Sequence, residues 1–319
     1  MLRRDVARYC SLLCGALICL AYDAPALGQT PAEIQRLIRD LDHDVFAVRE
    51  RATSQLRQMD ERVIPFLEEA ERSNSPEVRL RAAALLGLVR VDPLEAFCGL
   101  PDGQLDVEHG MFLIAQILNP KVKKESLTKQ LDEIAAKVKA LLGKDFKPGK
   151  TDPQQAVAAL RQVLFTELKF TGNKEDYDNA DNSSLEKVLA TRKGLPITLS
   201  RVVILVARRL EIPIVGIPAT GRYIIKYDGE QAPAGFAQDD IYMHPFEGFK
   251  ILTRADRQTL FPSHDPDAMV PADTNREALT RILRNLTSDL DHDPERAAQL
   301  NRANQMLLLL QTKAPGLRP

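Results

Sequence analysis

The stretch Gly194-Leu195-Pro196-Ile197-Thr198-Leu199-Ser200-Arg201-Val202-Val203-Ile204-Leu205-Val206-Ala207-Arg208-Arg209-Leu210 decides the fold. Its apolar residues fall nearly all the way round a helical wheel, which marks a buried central helix and not one lying on a surface. After Pro213 the pattern shortens into strand-like runs at Ile214 to Ile217, Arg222 to Tyr227, Ile241-Tyr242 and Phe249 to Leu252. The turn pairs Asp228-Gly229 and Glu247-Gly248 separate them. A buried helix feeding a small antiparallel sheet is an α+β unit, and residues 169–260 are read as that core.

Outward from the core the chain is helical on both sides. In residues 92–168, Met111, Ile114, Ala115 and Ile117-Leu118 form one apolar stripe, and Leu127, Leu131, Ile134, Val138 and Leu141 form another. Lys144 to Asp152, with Pro148 and Gly149, reads as a loop. Residues 274–311 return to helix, and Asp293-Pro294-Glu295 supplies the cap, proline and acidic first turn of the last one. Residues 31–90 are amphipathic and self-similar. Val48-Arg49-Glu50-Arg51-Ala52 with Leu56 recurs as Val78-Arg79-Leu80-Arg81-Ala82 with Leu86. Asp44 and Ser75-Pro76 are helix-start signals. This unit resembles short HEAT-type helical repeats, which bury their apolar faces only by stacking on neighbours.

At the amino terminus, Arg3, Arg4 and Arg8 precede the apolar run Cys10 to Ala21, and Ala26-Leu27-Gly28 follows with small residues at −3 and −1. The run is too short to span a bilayer, which takes about 20 residues. The three-part pattern is that of a signal peptide over 1–28. The expectation is an extracytoplasmic protein, periplasmic or secreted, with no stable membrane insertion once the signal is cleaved. Lys+Arg number 43 against Asp+Glu 44, a net charge of −1, so no global basic field invites nucleic acid. Four cysteines are too few for a disulfide scaffold in 319 residues, and three of them, Cys10, Cys14 and Cys19, lie in the leader.

One block carries a resemblance. Phe170-Thr171-Gly172-Asn173, Tyr177-Asp178 and Asn182-Ser183-Ser184-Leu185 lead into Arg192-Lys193-Gly194-Leu195-Pro196-Ile197-Thr198-Leu199-Ser200. This is similar to the SirB-type branch of the transglutaminase-like superfamily, whose members read Gly-Ile-Pro-Ile-Ser-Leu-Ser, then Pro-Gly-His-Phe, then Asp-Pro-Phe-Asn-Gly-Gly. The likeness runs on to Arg281-Ile282-Leu283-Arg284-Asn285-Leu286 and covers roughly residues 92–311. It implies a mostly helical α+β chain: HEAT-like helix pairs, a helical middle, a papain/transglutaminase-like core with a small antiparallel sheet, and C-terminal helices.

In active members a helix start presents a nucleophile to a sheet carrying His and Asp. Carried over, the nucleophile position falls at Pro196, the His on Arg222 and the Asp on His244. Proline has no nucleophilic atom, and arginine does not give up its proton at usable pH. No catalytic residue is therefore assigned. The former cleft would be a binding groove lined by Asn173, Tyr177, Pro196, Arg222, Tyr223 and His244, and Arg222 would suit a carboxylate. The functional expectation is an exported, non-catalytic transglutaminase-like module with a protein or peptide partner, leaning away from an enzyme.

The alternative is a thiol-dependent hydrolase or acyl-transferase acting on peptide amides. It would use Cys98, with His109 as base. No cofactor is implied and no metal site is assigned. Asp239, Asp240 and His244, and His264, Asp265 and Asp267, lack a specific ligand pattern. The string Asp-Leu-Asp-His-Asp at 40–44 and 289–293 lacks the glycine and glutamate of a calcium loop. Asn182 and Asn285 match the glycosylation acceptor, which counts only in a eukaryotic host.

Overall fold

The computed structural model describes residues 30–59, 63–89, 92–219, 221–262 and 270–312. The leader and the His264-Asp265-Asp267 group lie outside the described residues. The chain divides into two compact units, Met1–Val91 and Asp92–Pro319.

The first unit is two helix pairs, α1 (Pro31–Asp40) with α2 (Phe46–Arg57) and α3 (Ile64–Ala70) with α4 (Pro76–Val89). A shift of 30 residues lays Ile34 on Ile64, Leu37 on Leu67, Val48 on Val78, Ala52 on Ala82 and Leu56 on Leu86. All of these positions except the half-buried Val48 build one shared apolar core. The repeated arginine has a repeated task. Arg49 Nη1 donates to the carbonyls of His43 and Asp44 at 2.6 and 3.1 Å, and Arg79 Nη1 to those of Ser73 and Asn74 at 2.8 and 3.0 Å. Each guanidinium thus latches the loop that precedes its own helix. Arg81 joins the two copies through Glu50 at 2.9 Å and Thr53 at 3.0 Å. Ser75 caps α4, its Oγ accepting from the Val78 N–H at 3.2 Å. Asp44 does not cap α2: the cap position is Val45, whose N–H donates to His43 Nδ1 at 3.0 Å.

In the second unit a helical layer comes first: α5 (Pro93–Cys98), α6 (Val107–Leu118), α7 (Lys124–Leu142) and α8 (Pro153–Arg161). Asp92, Asp106 and Asp152 cap α5, α6 and α8 with side-chain oxygens on the first-turn N–H groups. A π-helical turn, Gln162–Glu167, follows α8. Then come β1 (Thr171–Gly172), α9 (Leu185–Thr191), β2 (Lys193–Gly194) and α10 (Pro196–Arg208). Every residue of α10 from Ile197 to Ala207 is buried, as its apolar circumference requires.

The sheet is antiparallel, in the order β3 (Ile214–Ala219), β4 (Arg222–Tyr227), β5 (Ile241–His244) and β6 (Lys250–Ile251). β1 and β2 form a separate parallel pair, and α11 (Arg254–Leu260), α12 (Asn275–Leu290) and α13 (Ala297–Thr312) complete the unit. The architecture is the expected mostly helical α+β fold. Register sets the faces of the sheet, because side chains alternate along a strand. Ile225 lies opposite Met243, and these two join Tyr223, Tyr227, Ile241 and the apolar residues of α10 in the main core. The intervening residues Ile224 and Tyr242 face the other way, onto a smaller core with Ile217, Leu252 and Phe261.

Candidate functional site

The start of α10 is the centre of the site, and its local chemistry explains its sequence. Pro196 is the first helical residue, where a missing N–H costs nothing and the fixed φ suits the helix. Thr198 Oγ1 accepts from the Leu195 N–H at 2.9 Å and donates to the Asn182 carbonyl at 2.8 Å. Asn182 is a hub. Its Oδ1 accepts from Asn173 Nδ2 at 2.8 Å, and its Nδ2 donates to the carbonyls of Asp176 and Tyr177 at 2.6 and 3.0 Å. With the Asn173 N–H on the Gly194 carbonyl at 3.1 Å, the loop 173–182 is stitched to the helix start. Asn182 is buried with both ends of its amide engaged, so the acceptor motif there cannot carry a glycan in the folded chain.

The turn after β5 closes over the same place. The Phe246 ring lies so close to Gly172 that a Cβ there would come within 2.6 Å of it. Tyr177 meets Phe246 edge-on at 5.8 Å, and Lys174 pairs with Glu247 at 2.6 Å. Asn173, Tyr177, Pro196 and the turn beginning at His244 are therefore brought together.

Arg222 and His244 share the sheet face of Ile224 and Tyr242, by the alternation of β4 and β5. His244 leads into the turn Pro245–Glu247, which packs on α10, and Arg222 lies near enough to His244 and Glu247 for its charge to act on both. Arg222 is exposed, and its guanidinium makes no hydrogen bond or ion pair among the described residues. His244 is 4% exposed, and its Nδ1 is buried without a hydrogen-bond partner. Burial lowers its pKa first, and the charges of Arg222, Lys174 and Lys250 lower it further against the pull of Glu247. The imidazole is thus neutral at pH 7. Glu247 is held below the ordinary carboxylate range, mainly by the hydrogen bond from Lys174.

Tyr223 does not line the groove. It is 1% exposed and faces α10, the opposite side of β4 from Arg222. There it belongs to a network that the sequence reading missed. Arg201 of α10 donates to Tyr223 Oη and Asp273 Oδ1, both at 2.5 Å, and the Tyr223 hydroxyl donates to Asp273 Oδ2 at 2.7 Å. The Arg201 and Asp273 side chains are 4% and 2% exposed. Burial pushes the Tyr223 hydroxyl well up, so it stays protonated and donates. The available signal was Arg201 itself, since a charge on a helix buried all round must find a partner.

Cys98 is fully buried, its Sγ 3.9 Å from the Met306 carbonyl of α13. His109 stacks against Phe97 and Phe112, and burial lowers its pKa. This is the environment of a packed core thiol. Asp240 is occupied by Lys226 at 2.8 Å, the Gly229 N–H at 3.0 Å and the Tyr242 hydroxyl at 3.0 Å. Among the described residues no three His, Cys, Asp or Glu converge on a metal position. Nor, among them, is any helix long and apolar enough to cross a membrane.

The chain is 29% identical over 213 residues to human F-box only protein 21, an alignment covering 61% of this chain and 34% of that protein. It is 31% identical over 173 residues to a UPF0162 protein of Xylella fastidiosa (51% and 58% covered) and 26% identical over 210 residues to one of Pseudomonas aeruginosa (63% and 71%). The chain spans about a third of the length of F-box only protein 21. No solved structure matches it. The family profile described as the Transglutaminase-like superfamily matches residues 125–284, from α7 through the sheet and into α12. With half of its length matched, and with a helix start set against an antiparallel sheet, the chain belongs to the Transglutaminase-like superfamily.

Proposed function

We propose that the chain is an exported, non-catalytic member of this superfamily, of its SirB-type branch, which holds a protein or peptide partner beside the start of α10. The observation that supports this most is the set of residues at the reacting positions. Pro196 begins the helix without a nucleophilic atom, Arg222 is a permanent cation, and His244 is a buried neutral imidazole. Arg222 and His244 both have unused hydrogen-bonding capacity, and Tyr177 and Phe246 supply an aromatic wall. A peptide carboxylate on the Arg222 fork, with apolar contact to that wall, fits this arrangement. The helix pairs of residues 31–90 are read as HEAT-type repeats that add a partner-facing surface.

Selection of displayed peptides on the purified chain tests this reading. Enrichment of acidic or free-carboxylate peptides that is lost with Arg222→Ala is the expected result. Turnover of a peptide amide that disappears with Cys98→Ser would overturn it in favour of a thiol enzyme. An intact Met1 on the protein recovered from cytosol, read by mass spectrometry, would refute the export part alone.

A further inference from the structure

A cavity of about 510 Å³ opens between Pro218 on β3, the loop at Pro271 and one face of α12, and Leu310 of α13 closes its far side. That volume lies within the range of small-molecule sites, roughly 300–1,000 Å³. Its charged lining divides into groups already engaged and groups that are not. Asp273 is held by Arg201 and Tyr223. Arg276 is engaged by Asp102 and by the carbonyls of Cys98, Leu100 and Leu310. Glu277 forms the capping box of α12, accepting from the Thr274 N–H at 2.8 Å.

Two guanidiniums remain. Arg281 uses Nη2 on the carbonyls of Ala219 and Arg222, at 3.2 and 2.8 Å. Its Nε and Nη1 make no hydrogen bond among the described residues. Arg284, one turn further along the same face of α12, is exposed and has no ion pair or side-chain hydrogen bond among them. Arginines outnumber carboxylates in the lining by three to two, and the two with donors to spare carry planar forks whose geometry matches an oxyanion.

We propose that this cavity is a binding site for a small oxyanion-bearing ligand, a carboxylate or a phosphate, gripped by Arg281 and Arg284. Arg281 also holds the strand start that carries Arg222, so an occupied cavity stiffens the rim of the groove. The inference does not depend on the peptide-binding reading of that groove.

Isothermal titration of the full chain with inorganic phosphate and with citrate tests it, against sodium chloride matched for ionic strength. Saturable binding of one or both is expected, weakened about tenfold or more in Arg284→Gln. It should be unchanged in Arg208→Gln, which removes the same charge from an exposed position on α10. Phosphate alone would identify a phosphate-bearing ligand, citrate alone a carboxylate, and both the shared oxyanion chemistry. No saturable binding of either, undiminished binding in Arg284→Gln, or an equal loss in Arg208→Gln would overturn the proposal. Arg281→Gln also removes backbone anchors, so Arg284→Gln is the deciding variant.

Discussion

The two faces of β4 are one residue apart in sequence and opposite in design. On the side of Tyr223, Arg201 and Asp273 meet out of water, where Arg201 Nη2, the Tyr223 hydroxyl and both Asp273 oxygens pair with one another and Arg201 Nε is left over. On the side of Arg222, the guanidinium stands in solvent and the neighbouring His244 keeps an unpartnered Nδ1. A carboxylate buried between paired donors holds a fold in one arrangement, whereas an exposed, unpaired guanidinium is free to meet something else.

The strongest test of the comparison is Asp273→Ala. It leaves Arg201 charged, buried and without its carboxylate, and should cost about 3–5 kcal/mol in urea unfolding. A loss no larger than that of a surface substitution would break the distinction between the faces. Gly216→Ala comes next. A Cβ there would lie 1.9 Å from Tyr223 Oη, so the network must shift, at about 1–3 kcal/mol. Adding Tyr223→Phe should recover part of that loss by removing the clashing oxygen.

Smaller effects should appear as pH dependence. Burial and the neighbouring Asp178 push the Asp289 carboxyl up to about 6. Between the ordinary carboxylate range and that value the native state binds the extra proton, so this residue removes stability as pH rises through the window. Asp289→Asn should therefore stabilise the chain at pH 7, by on the order of 1 kcal/mol for a partly screened group, and leave it unchanged near pH 4. His244 acts in the opposite sense. Its lowered pKa means the unfolded chain binds more protons below about pH 6.5, so stability falls as pH falls, and His244→Gln should flatten that limb. The smallest effect belongs to Arg222→Ala, whose unfolding free energy should stay within about 0.5 kcal/mol of the parent chain.

The same alternation explains what was and was not legible. The central helix could be read because its apolar circumference has one physical meaning, and β4 because six residues of strand pattern run up to the turn Asp228-Gly229. The two-residue strands β1 and β2 were invisible: a parallel pair that short has no periodicity, only a partner 22 residues away. The resemblance puts both Arg222 and Tyr223 on the groove, yet neighbours on a strand face opposite sides. Asp273 could not have been assigned to Arg201, since 72 residues separate them and only the tertiary fold closes the distance. Asn182 looked like a sugar acceptor from its triplet, and only its buried amide partners reveal it as a fastener of the helix start.

The arginine latch of the first unit has a consequence of another kind. Because Arg49 and Arg79 each fasten a loop belonging to their own helix pair, every period carries its own brace and borrows none from the next. What passes between copies, among the described residues, is apolar packing, the reach of Arg81 to Glu50 and Thr53, and the ion pair of Arg49 with Glu77 at 3.7 Å. A chain built this way can gain or lose one 30-residue period by duplication or deletion without redesigning its loops. The number of such periods is therefore open to adjustment by evolution.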